Sequence, residues 1–167
     1  MAIKRYFATL DNTITNAFEK NLSTRGTGSN MGASDVLETF VIHGQTTASI
    51  SAENAEEARI LVQFPVNEIS NDKDSGVIPS SSVKYIFKLF NAPHADTTPR
   101  NFTLDIKAIS KAWSEGTGLD MDEYTDMGTS NWISASNTAG WENEGGDVHD
   151  SPAYTASFDT GLENIEV

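Results

Sequence analysis

The chain has no cysteine. Disulfides, thiolate metal sites and thiol nucleophiles are therefore excluded. It has no hydrophobic run long enough to span a membrane. Its first ten residues, MAIKRYFATL, hold a basic pair but no apolar core, so no Sec-type signal is expected. The three histidines, His43, His94 and His149, lie far apart and match no His-x-x-x-His or His-Glu spacing. Long 3.6-residue periodicity is also missing, which argues against a helical bundle.

The most uneven scarcity is of positive charge. No Lys or Arg follows Lys111. Residues 1–112 carry eleven Lys and Arg against twelve Asp and Glu, a net of −1. Residues 113–167 carry twelve Asp and Glu and no base, a net of −12. Direct nucleic-acid binding needs clustered Lys or Arg and is not expected. An acidic third fits a solubilising surface, a cation site or a basic partner.

What is present reads as strands. At 167 residues the chain is expected to form one domain with its own core. Thr13, Ile14 and Thr15 favour an extended segment. Residues 36–43 (VLETFVIH) alternate as a strand with apolar side chains on both faces. Residues 58–64 (ARILVQF) predict a second, with Ile60, Val62 and Phe64 inward and Pro65 ending it. A polar connection is expected over 67–82, with Gly76 and Pro79 as turn formers. Residues 83–90 (VKYIFKLF) predict a strand with Val83, Tyr85, Phe87 and Leu89 on one face. Residues 101–109 (NFTLDIKAI) alternate strictly, so their register should be firm. Residues 153–158 and 162–167 predict two last short strands. This pattern points to an all-β, antiparallel two-sheet sandwich of jelly-roll type with long loops.

Residues 113–141 hold all three tryptophans amid carboxylates. Exposed indoles and phenols stack on sugar rings, so Trp132, Trp141 and Tyr124 are the candidate glycan contacts. The stronger expectation is structural: Trp132 and Trp141 plug the open end of the sandwich, and Trp113, directly after a strand, packs over the core. Asp120, Asp122 and Asp126 have a spacing that a curled loop could aim at Ca²⁺. Counted from Asp120, the sixth residue is Thr125 rather than Gly and the twelfth Asn131 rather than Glu, so the EF-hand pattern is incomplete. The same acids fit a solvated loop. Glu115 is expected to accept backbone N–H bonds. His149, with Asp147 and Asp150 beside it and Ser151 following, matches no hydrolase signature. GTGSNMG lacks the lysine of a phosphate loop. No enzymatic activity is expected.

Four pieces recur in order: Asn30-Met31-Gly32, the apolar run 60–64, Ile78-Pro79, and the turn Trp113-Ser114-Glu115-Gly116. In this order they resemble the DNRLRE-type β-sandwich domains, which are similar to family-96 carbohydrate-binding modules. The Asp-Asn-Arg-Leu signature of that family is absent here. The stretches NAFEKNLSTRGTGSNMGASDVLE and GLDMDEYTDMGTSNW resemble virion structural proteins of marine tailed bacteriophages. The resemblance implies a non-enzymatic head-surface, neck or tail component that contacts other virion proteins in repeated copies and is assembled in the host cytoplasm. Residues 1–10 are then expected to be a docking arm and 11–167 the sandwich. The family's sandwich continues beyond a segment like 162–167, so either the chain goes on or a neighbouring subunit completes the sheet. The alternative is a module recognising host-surface polysaccharide. No cofactor is expected beyond Ca²⁺, and no membrane partner.

Overall fold

The structure is a computed structural model describing residues 3–43, 55–92, 101–125, 129–149, 154–159 and 164–166. Among these residues the chain is all-β with one short helix, and every ladder is antiparallel. No helix among them is long and apolar enough to cross a membrane. The chain divides into two compact units, each made of segments distant in sequence.

The first unit comprises residues 3–65 and 109–147. Its five-stranded sheet runs β3 (Phe40–His43), β4 (Ala55–Gln63), β1 (Leu10–Thr15), β2 (Ser29–Asn30), β7 (Asp120–Thr125). A small hairpin, β8 (Ser134–Ser136) with β9 (Ala139–Gly140), belongs to the same unit.

β1 is the central strand, and Asn12, Thr13, Ile14 and Thr15 are all buried. Three of these four are polar, so each needs a partner inside. Thr15 Oγ1 donates to the Glu57 carbonyl at 2.7 Å. The Thr13 hydroxyl accepts the Glu38 N–H at 3.0 Å and donates to the Glu38 carbonyl at 3.4 Å. That tie occupies the Glu38 peptide and explains a difference from expectation. The strand expected over 36–43 is shorter, because β3 begins at Phe40.

β4 corrects a second expectation. Register pairs Leu61 with Asn12 and Arg59 with Ile14, so these four share a face. Leu61 joins the buried cluster of Ile14, Trp132, Ala135 and Trp141, with Ile109 and Trp113 packed against it. The core face is therefore that of Leu61, not of Ile60, Val62 and Phe64. Arg59 stands on that face too. In the structure its guanidinium lies over the Trp132 ring, 4.8 Å from the centroid.

The second unit comprises residues 66–108 and 148–167. It holds α1 (Val66–Asp74) and two ladders, β6 (Asn101–Ile106) with β10 (Tyr154–Asp159), and β5 (Lys88–Phe90) with β11 (Asn164–Glu166). The helix lies where a polar connection was expected. Pro65 pre-sets the entry, Glu68 sits in the first turn and Lys73 in the last. α1 buries no residue, so it has no apolar stripe for the sequence to display. Gly76, at φ 78°, closes it: its N–H reaches the Lys73 carbonyl and the Ile78 N–H reaches that of Asp72. The strand expected over 83–90 narrows to β5, since β11 offers three residues to pair with.

Candidate functional site

Two of the pieces that the sequence set apart meet in the first unit, while Ile78-Pro79 belongs to the second. The Trp113–Gly118 turn lies against the Asn30-Met31-Gly32 corner. Asn30 is fully buried. Its Oδ1 accepts the Gly118 N–H at 2.8 Å and the Gly32 N–H at 3.3 Å, and its Nδ2 donates to Thr129 Oγ1 at 3.2 Å. A side chain at Gly116 or Gly118 would collide with Asn30, and one at Gly32 with the Gly116 backbone. Glycine is required by that approach and not by φ.

Asn12 repeats the device one strand away. Its Nδ2 donates to the Ser130 carbonyl at 3.0 Å and to Ser130 Oγ at 2.8 Å, while its Oδ1 accepts the Met31 N–H at 2.9 Å. Glu115 Oε1 accepts the Asp11 N–H at 2.9 Å, as expected of a carboxylate in this turn. Burial, and then the Glu115 charge, push the Asp11 carboxyl above its ordinary value. Ionising Asp11 therefore costs stability. Its contribution is most favourable below the ordinary value and is lost as pH rises through the raised one.

The tryptophans lie inside. Trp132 is 4% exposed and Trp141 9%. Trp141 Nε1 donates to the Asn131 carbonyl at 2.8 Å. Arg59 covers the Trp132 ring, and its Nη1 donates to the Gly145 carbonyl at 3.0 Å. Gly145, at φ 82°, presses its backbone close to that ring, leaving no room for a Cβ. Sugar stacking on Trp132 or Trp141 would need open indole faces, and both are taken up by the core. Trp113 packs half-buried against the same cluster, as expected. Tyr124 and Asp122 stand on β7, but their side chains lie outside the described residues. Asp126 lies outside them altogether, and Asp120, the first residue of β7, is exposed. Among the described residues no three His, Asp or Glu side chains are grouped to hold a metal ion.

Asp147 is a residue that sequence reading set beside His149 rather than in its true role. Its Oδ1 accepts the N–H groups of Glu142 and Asn143 at 2.8 and 2.9 Å, and its Oδ2 meets Lys111 Nζ at 3.1 Å. Its carbonyl takes the N–H and Oγ of Ser110. The Glu-Asn-Glu-Gly-Gly-Asp run ending a glycine pair was the available signal for a tight carboxylate-closed loop. The N–H of Asn143, Lys111 and the N–H of Glu142 hold the Asp147 carboxyl below its ordinary value of 3.8, against the opposing effect of burial. A lowered value means stabilisation that is full above the ordinary value and lost as pH falls through the lowered one. An Asp147→Asn protein is thus expected to unfold at lower urea than the parent at pH 7. The gap should narrow below pH 3.8. Urea midpoints across pH 2–7 check this.

Compared with known proteins, no family model matches the chain, nor does any curated protein or solved structure.

Proposed function

We propose that this chain is a non-enzymatic structural subunit of a tailed-phage virion, a two-sheet sandwich of jelly-roll type acting through subunit contacts. One observation supports the reading most directly. In the second unit Val66, Val77, Tyr85, Ile86 and Phe90 are exposed, whereas Ile78 is the buried apolar residue there among the described side chains. Exposed apolar side chains of this kind gain from burial against a neighbour. Small contacts of this kind become strong when many copies repeat them. The buried glycine–asparagine clasp and the filled tryptophan core fit a scaffold rather than a cleft.

The docking arm is the part to test. Leu10 is already in β1, and the Thr9 N–H bonds the Gln63 carbonyl, so the removable arm ends at residue 8. Ile3 and Phe7 on it are exposed. A chain lacking residues 1–8 is expected to keep its unfolding midpoint but to be missing from purified particles, read by quantitative mass spectrometry. Full occupancy by the truncated chain would reject the arm. Binding of the intact protein on a glycan array would favour the polysaccharide-recognition alternative.

A further inference from the structure

The five-stranded sheet ends in β3 on one side and in β7 on the other. Hydrogen bonding fixes which main-chain groups of β3 face outward. The Asn16 N–H bonds the Glu57 carbonyl at 3.1 Å, and the Glu57 N–H bonds Asn16 Oδ1 at 2.7 Å. Both main-chain groups of Glu57 thus face β1, and those of its neighbours Glu56 and Ala58 face β3. The Thr39 hydroxyl accordingly donates to the Ala58 carbonyl at 2.9 Å. Phe40 stands opposite Ala58 and Ile42 opposite Glu56, so these two residues carry the bonds to β4. The N–H and carbonyl groups of Val41 and His43 point away from the sheet, where no strand among the described residues meets them.

Sheet edges are commonly blunted by charge, by proline or by a bulge. β7 follows that rule, with Asp120, Asp122 and Glu123 among its residues and a register shift against β2. β3 does not. Residues 39–43 (TFVIH) hold no Asp, Glu, Lys, Arg or Pro, and β3 pairs with β4 in unbroken register. Val41 and Ile42 point to opposite faces of the sheet, yet they are 63% and 51% exposed. Neither face of this strand is covered, and its outer edge has bonding groups to offer.

We propose that β3 pairs antiparallel with β3 of a second copy, about a twofold axis through Ile42. The occupant follows from self-complementarity. In that register Val41 of each copy stands opposite His43 of the other, and each such pair exchanges both of its N–H to carbonyl bonds. Val41 and His43 are the residues whose main-chain groups point outward, so the outward groups of the strand are all met. Ile42 meets its own counterpart at the close, non-hydrogen-bonded position, and no charge within the pair opposes a like charge. β7 presents carboxylates and a broken register instead. The contact is isologous, so it closes at a dimer rather than growing into a row. A strand of 4 residues on each side buries far less than the about 1,200 Å² of a standard interface, so the dimer is weak and depends on concentration. This pairing belongs to the isolated chain and does not depend on the virion reading.

The absence of cysteine makes the test direct. Ile42→Cys and Val41→Cys proteins are oxidised with glutathione, and the disulfide-linked dimer is followed on non-reducing gels. Across the axis the two Cβ atoms at position 42 come within about 4.5–5.5 Å, close to the reach of a disulfide. Val41 lies on the other face, with its counterpart diagonal rather than opposite. Ile42→Cys is therefore expected to dimerise at least about tenfold faster than Val41→Cys. Random collision predicts the reverse order, because Val41 is the more exposed. In sedimentation up to about 1 mM, the scale of a weak contact, the parent should form a dimer. Ile42→Lys and Ile42→Glu proteins should each stay monomeric, and their equimolar mixture should regain the dimer. Circular dichroism checks that each variant is folded. Equal rates for the two cysteine variants, or a mixture no more associated than its components, would overturn the proposal. So would a parent chain that stays monomeric or that grows into open rows.

Discussion

Gly116→Ala is expected to destabilise the first unit by about 3–5 kcal/mol, at the severe end for one methyl group. The added Cβ would fall on the Asn30 carboxamide. Asn30 cannot swing aside cheaply. It is fully buried, and moving it strands the N–H groups of Gly118 and Gly32 and the hydroxyl of Thr129. Each buried polar group left without a partner costs about 1–3 kcal/mol. Gly76→Ala is the matched control. Gly76 has open space around it and only its φ of 78° to defend, so the loss should stay near 1 kcal/mol. Urea unfolding followed by circular dichroism compares the two. Equal midpoints for the two variants would show that Asn30 yields after all.

The second large effect is Trp132→Ala, expected to cost about 3–5 kcal/mol through lost burial and the cavity left behind. Trp132 touches the sheet through Arg59 and the loop through Gly145. Its removal leaves the Arg59 guanidinium without the ring it covers, so the loss exceeds the area term alone. Trp132→Phe should recover most of it, because a ring stays beneath the cation. An alanine variant within 1 kcal/mol of the parent would mean that this indole is not the keystone of the cluster. The Arg59–Glu57 ion pair, 2.8 Å but about a third or more exposed at both ends, adds little by comparison.

These residues also show what the sequence displayed and what it hid. Strict alternation over 101–109 announced β6, and the two last strands appeared where short β-prone runs stood. Trp113 and Glu115 took the structural roles expected of them. The face of β4 was hidden, because Ile60, Leu61 and Val62 are apolar in succession and pairing with β1 decided between them. α1 was hidden because a helix that buries nothing carries no periodic signal. The strand over 83–90 had the right alternation but a three-residue partner. In the candidate site, Asn30 and the glycines were visible only as a loose motif. Their meaning lay in an approach between residues 88 positions apart. Trp132 lies beneath Arg59, a charged residue whose packing over a ring no sequence pattern announces.

The bond from Asn12 to Ser130 spans 118 positions. During synthesis β1, β2, β3 and β4 emerge first, yet their buried face stays open until the tryptophan stretch leaves the ribosome. At about 5–20 residues per second that delay lasts several seconds. Contacts of such separation also form late and slowly, since the intervening chain must first be closed into a loop. The nascent chain therefore passes through a period in which Ile14 and Leu61 are unprotected. Its yield in a cell should depend on chaperone capacity more than its final stability suggests.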